Sequence, residues 1–244
     1  MKILLAPAET KREGGDFSSY NQENFAFDDF FEVRDKIVQN YDNYITNSSI
    51  EELSKWFGLK KISECEKYSH SILKKPTMKA ILRYTGVAFD ALEYESLDKK
   101  AQEYCDKNII LFSNLFGPLK ASDKIPDYKF KQGAVLETID VIKEYKENTK
   151  EFLDNNLGEE VLDLRAGFYD KFYKPSKSVI TYKFLKDGKV VSHWAKYYRG
   201  LVVKELAKND ISNFEELMEL KIEGLQLIEI QEKKNVKTLV MQIL

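Results

Sequence analysis

The chain has 244 residues, with 38 Lys and Arg against 40 Asp and Glu, a formal net charge of -2 and 43% hydrophobic residues. That length and apolar content allow a sizeable core, and charged residues balanced in sign beside many aromatics argue against disorder. Near-neutrality gives no global attraction to nucleic acid or a membrane surface, so any such contact must come from a local patch. The two cysteines, Cys65 and Cys105, and an N-terminal apolar run too short for a secretion signal predict a reduced, cytoplasmic protein. No stretch reaches the roughly 18 apolar residues of a membrane span. His70, His193 and the cysteines lie far apart without CxxC or HxxxH spacing, so no metal site, cofactor or membrane partner is expected.

No repeat, low-complexity tract or linker divides the chain, which predicts one domain over residues 1–244. Lys2–Ala6 reads as a buried strand stopped by Pro7, and residues 8–24 as a polar loop. Helical patterns run from about Asp28 to Ile45, from Ile50 to Ser71 and from Thr77 to Leu92, the last with Ile81, Tyr84, Ala88 and Leu92 on one stripe. Asn108–Ser113 is an apolar run expected as a central strand, ending in a turn at residues 114–118. Leu136 to Leu157 has helical spacing closed by Gly158, and Val161–Leu164 is another buried strand. Val179–Leu185 and Val190–Trp194 flank Asp187-Gly188 as a hairpin. Helices follow over about 195–208 and 213–220, and Leu225–Ile230 with Lys237–Ile243 form a second hairpin. The fold class is therefore α+β, a mixed sheet with surrounding helices. If the strands ending near Ala6, Ser113 and Leu164 run parallel, their loops meet at one sheet edge, where such folds place ligands.

Four segments could carry chemistry. Leu53 to Ile62 resembles a helix-hairpin-helix element, placed at about residues 48–71, in which the turn at Gly58 and the lysines Lys60 and Lys61 would hold a phosphate. Lys196 and Arg199 are three apart, so they share a helix face, and the adjoining Gly200 suggests close approach of another group. The loop Glu9 to Gly15 combines Thr10, Lys11 and Arg12 with glycines, without the spacing of a nucleotide-binding motif. Ser113 to Gly117, with Asp123 and Tyr128-Lys129, is the fourth. Classical catalytic motifs are missing, and His70 and His193 read as structural or surface residues.

Six blocks resemble one family in order. Leu5-Ala6-Pro7-Ala8-Glu9-Thr10-Lys11 is similar to its SPAKT opening, residues 80–92 to its central tyrosine-glycine segment, and residues 110–120 to its ILSGLYGLLRP block. Asp127 to Phe130, Asp163 to Tyr169 and Ala195 to Gly200 match three further blocks. The family is that of the bacterial peroxide stress resistance protein YaaA. The resemblance implies a cantaloupe-like α/β fold, a positively charged cleft, a helix-hairpin-helix element, duplex DNA binding and a role in limiting oxidative DNA damage, linked to intracellular iron. It departs at Glu9, where the family has Lys, and at Tyr197-Tyr198, which replace Lys-Ala.

The resulting expectation is a monomeric, cytoplasmic stress protein that binds duplex DNA without strong sequence specificity or turnover, through Lys11, Arg12, Gly58, Lys60, Lys61, Lys129, Lys196 and Arg199. Thr10, Tyr84, Ser113, Gly117 and Tyr169 are expected to line the cleft. The alternative is an enzyme acting on a nucleobase, nucleotide or nucleic acid, with Thr10, Tyr84, Ser113, Lys129, Lys196 and Arg199 as its candidates. An open basic groove favours the first, and an enclosed pocket the second.

Overall fold

The computed structural model describes all 244 residues and centres on a mixed sheet of eight strands. β1 (Lys2–Leu5) lies in its middle, parallel to β3 (Ile109–Ser113) on one side and β6 (Glu160–Asp163) on the other. Next come β7 (Ser178–Lys186) and β10 (Val236–Ile243), each parallel to its inner neighbour. Antiparallel strands close the edges: β4 (Gly117–Lys120) beside β3, and β9 (Leu225–Lys233) beside β10. The two-residue β8 (Lys189–Val190) pairs with β7, and β2 (Thr77–Lys79) pairs with β5 (Lys124–Pro126) in a separate ribbon. Ile3, Leu4 and Ile109–Phe112 are buried on both faces, which is why they read as unbroken apolar runs.

The helices are α1 (Phe31–Asn47), α2 (Ile50–Phe57), α3 (Ile62–Tyr68), α4 (Ala80–Arg83), α5 (Val87–Leu92), α6 (Lys99–Asn108), α7 (Val141–Asn156), α8 (His193–Lys208) and α9 (Phe214–Glu219). Sixty buried residues from sheet and helices form one connected apolar cluster. The α+β architecture and both C-terminal hairpin strands follow the expectation. No helix is long and apolar enough to cross a membrane.

Several elements differ from the sequence reading. The pattern over 50–71 is two helices, because Gly58 adopts φ 67° and its N–H turns back to Lys55 and Ser54. The pattern over 77–92 is strand β2 and helices α4 and α5. Between the helices the Thr85 N–H donates to the Thr10 carbonyl (3.1 Å), and Gly86 sits at φ 102°, outside helical space. α7 begins at Val141 rather than Leu136, since the Asp140 side chain caps it by accepting from the Lys143 N–H. α1 likewise starts at Phe31, three residues after Asp28. Trp194 belongs to α8, not to a hairpin strand: β8 makes only two pairings, and Trp194 stacks instead beside Tyr197 and under Lys186. Residues 114–118 do turn, but Gly117 and Pro118 already belong to β4.

Candidate functional site

Because β1, β3 and β6 run parallel, the loops that follow them leave the sheet at one end. There they bound a cavity of about 440 Å³. Leu5 to Thr10 form one wall, Asn114 a second, and Leu164, Ala166 and Tyr169 a third. Thr85 to Phe89, leading into α5, and Lys196 and Arg199 of α8 complete it, with the exposed Gln132 beside them. The volume lies within the range of small-ligand sites, about 300–1,000 Å³.

Lys196 and Arg199 are thus on one face, as their spacing predicts, and both line the cavity. Neither pairs with a carboxylate. Burial lowers the Arg199 pKa, and only the more distant Asp163 works against that shift. The group that approaches Gly200 is the protein itself, since α8 packs there directly on the Ala88 backbone of α5. Arg199 is thereby fixed beside the α5 wall. Asn114 is 9% exposed, its Oδ1 has no close hydrogen-bond partner, and its Nδ2 makes a long 3.4 Å bond to the Phe130 carbonyl, with the Tyr169 hydroxyl beside the amide.

Next to the cavity walls lies a chain of buried hydroxyls. Ser113 Oγ accepts from the Leu115 and Phe116 N–H groups (3.1 and 2.9 Å), so its own proton goes to Tyr128 Oη at 2.8 Å. Tyr128 Oη in turn lies 2.8 Å from Tyr84 Oη. Burial pushes the Tyr84 hydroxyl up to about 12. Lys11 Nζ sits 4.1 Å from the Tyr128 ring centre and 5.4 Å from that of Tyr84, and donates weakly to the Ala8 and Glu9 carbonyls. Burial lowers the Lys11 ammonium to about 7, with Asp127 opposing and Lys129 assisting. Buried Arg83 pins this loop by donating to the Arg12, Gly14 and Ile125 carbonyls.

The other expected residues are placed differently. Arg12 turns away into a two-pronged ion pair with Glu95 (3.0 and 2.6 Å). Lys129 Nζ lies 3.4 Å from Glu9, the residue that stands where the resembled family has Lys. Thr10 and Tyr169 line the cavity, whereas Tyr84 and Ser113 lie behind its wall in the hydroxyl chain. Gly117 is a packing residue: a Cβ there would stand 2.4 Å from the Tyr145 ring. Gly58, Lys60 and Lys61 are exposed at the α2–α3 turn, apart from the cavity lining, with Lys61 3.6 Å from Glu64. Sequence reasoning missed Asn114 and Gln132 as cavity residues. Asn114 stood inside a recognised turn block, but nothing local announces an unpaired amide. No group of three or more His, Cys, Asp or Glu side chains stands close enough to hold a metal ion.

The fold and cavity define a mixed-sheet α+β protein with a cation-bearing site at the carboxyl ends of its central strands. Residues 1–231 match the family described as peroxide stress protein YaaA, and the chain belongs to that family. An uncharacterized protein of Campylobacter jejuni is 45% identical over 245 residues, covering both chains completely. A UPF0246 protein of Corynebacterium glutamicum is 31% identical over 253 residues, spanning 98% of this chain and 100% of its own. A UPF0246 protein of Fusobacterium nucleatum is 26% identical over 96% of this chain and 97% of its own. Family membership supports a role in the peroxide stress response.

Proposed function

We propose that the chain serves the peroxide stress response by binding nucleic acid, duplex DNA above all, through phosphate contacts with little sequence preference and without turnover. The observation that carries this reading is the pairing state of its cations. Arg12, Lys67 and Lys129 are each tied to carboxylates, while Lys196 and Arg199 stand side by side with none. Lys60 and Lys61 add an exposed pair at a helical turn, a setting suited to a phosphate backbone. The α2–α3 turn is held against residues 131–135: Trp56 Nε1 of α2 donates to the Val135 carbonyl, and Lys131 Nζ lies beside Gly58. On this reading residues 1–244 act as one unit around their single connected core.

The test is duplex affinity as a function of salt for wild type and the Lys196→Ala/Arg199→Ala variant. The variant should bind unrelated duplexes more weakly by a similar factor. Its slope of log affinity against log salt should be shallower by up to about two units, because roughly one counterion is released per phosphate contact. Identical slopes would remove these two residues from duplex binding. The concave cavity, open on one side, supports a second reading, an enzyme acting on a nucleobase or nucleotide with Thr10, Lys196 and Arg199 at the walls. Conversion of a nucleotide by wild type, abolished in that variant with duplex affinity intact, would establish it in place of the first.

A further inference from the structure

We infer that the cavity receives a single nucleotide unit, with its phosphate on Lys196 and Arg199 and a polar edge of its base on the Asn114 amide. This inference deepens the nucleic-acid reading and rests on it only for the source of the nucleotide. Two unpaired groups on the same cavity carry it. Arg199 is a half-buried guanidinium without a carboxylate partner. The one carboxylate that acts on it, Asp163, is already paired with Arg165, so this desolvated cation lacks a counter-ion of its own; an anion offsets that cost, and a guanidinium takes one best in a two-pronged arrangement with phosphate or carboxylate oxygens. Asn114 is a buried amide whose Oδ1 has no close hydrogen-bond partner and whose Nδ2 makes one long bond to the Phe130 carbonyl, with the Tyr169 hydroxyl as its neighbour on the cavity side. Buried polar atoms without partners are rare in native proteins, and this one lies in the cavity wall, where a ligand can satisfy it.

The chemistry between the two ends narrows the ligand class. Leu5, Val87, Phe89, Leu164 and the Tyr169 ring give the cavity apolar and aromatic surface. A side-chain amide presents one acceptor and one donor pair, which is the complement of a nucleobase edge. An anion for the two cations, an apolar planar body for the apolar lining and a donor–acceptor edge for the amide describe a nucleoside monophosphate better than inorganic phosphate or a fatty carboxylate. A volume of about 440 Å³ cannot hold a duplex, so a strand could enter only by one nucleotide turned out of its stack. Gly200, packed on Ala88, keeps Arg199 from moving away when the site is empty.

The experiment titrates the full chain calorimetrically with AMP, GMP, CMP and UMP, with the matching nucleosides and inorganic phosphate as controls. In parallel it compares a plain duplex with one carrying a single unpaired nucleotide. At least one monophosphate should bind ten-fold or more tightly than both its nucleoside and inorganic phosphate. Arg199→Gln should weaken that monophosphate ten-fold or more and leave the nucleoside unchanged, whereas Asn114→Ala should weaken both. Circular dichroism melts of both variants separate lost binding from lost folding, and Lys196→Gln, at an exposed position, gives the phosphate arm a variant safe for the fold. Tighter binding of the bulged duplex, lost in Arg199→Gln, identifies a strand as the source; preference for free monophosphate alone identifies a soluble nucleotide. Monophosphate binding with no duplex affinity refutes the nucleic-acid reading and leaves the inference standing. Duplex binding with no monophosphate affinity and no effect of the bulge overturns the inference.

Discussion

Gly200 of α8 and Ala88 of α5 meet backbone to backbone, so that a Cβ on Gly200 would lie 1.9 Å from the Ala88 carbonyl oxygen and 2.8 Å from its carbonyl carbon. Gly200→Ala gains about 1 kcal/mol of helix propensity. The overlap is with backbone, which no change of rotamer relieves, and overpacking of that kind costs about 1–3 kcal/mol or more. The variant should therefore melt at a lower temperature and bind the cavity ligand more weakly, because Arg199 and the Ala88 wall are pushed apart together. A melting temperature at or above wild type would show that the two helices separate freely.

Lys11 supplies a pH dependence whose sign is fixed. Its folded pKa is lowered to about 7 by burial, while the unfolded side chain keeps the ordinary value of 10.5. Between those values the unfolded chain binds the extra proton, so stability rises with pH from about 7 towards 10.5. Burial is the main cause; Asp127 and Glu9 oppose it by charge, and Lys129 and Arg83 add to it. Lys11→Met should be more stable than wild type at pH 7 and should lose part of the gain that wild type shows on going to pH 9. Parallel melting curves for the two proteins across that range would place the Lys11 amine in water.

Asp163 and Arg165 hold the loop after β6. Arg165 Nε and Nη2 donate to the Asp163 carboxylate at 2.9 and 2.7 Å, and its guanidinium also reaches the Tyr169 and Tyr173 carbonyls. The Arg165 side chain is only 1% exposed. Asp163→Ala leaves that buried charge with only the longer, exposed Asp170 contact at 3.8 Å, a loss approaching the roughly 3–5 kcal/mol of a broken buried pair. A urea midpoint within error of wild type would mean that the two carbonyls suffice.

The hairpin lysines test a surface remote from the cavity lining. Lys60→Glu/Lys61→Glu changes only exposed side chains, so stability should shift by no more than about 0.5 kcal/mol. Duplex affinity at low salt should fall by ten-fold or more, with monophosphate binding unchanged. Equal duplex affinity would remove the α2–α3 turn from the nucleic-acid interface.

The parts of this fold that were legible are those where one local signal decides. Ile3-Leu4-Leu5, Ile109 to Phe112 and Val161-Leu162 announced central strands because both faces are covered, and their shared direction brought three loops to one cavity. The spacing of Lys196 and Arg199 correctly put both at one place. What failed were patterns broken by partners distant in sequence. Thr85 is drawn out of a helix by Thr10, and Arg12 is drawn off the site by Glu95. Tyr84 and Ser113 are functional-looking types used to satisfy each other through Tyr128. α6 escaped notice because its buried positions are few, although the Asp98 cap accepting from the Ala101 N–H was readable.

The position of β1 at the middle of the sheet sets an order of events. Ile3 pairs with Ile109 on one side and Leu162 on the other, so this apolar stretch waits for residues far downstream before both its edges are paired. Pairings this distant in sequence slow folding, because loop closure precedes any gain from contact. The cavity has the same dependence, since its walls come from residues 5–10, 85–89, 114, 132, 164–169 and 196–199. No subset of the chain can hold a ligand there. A molecule that bound there would therefore stabilise the completed fold as a whole rather than any one loop.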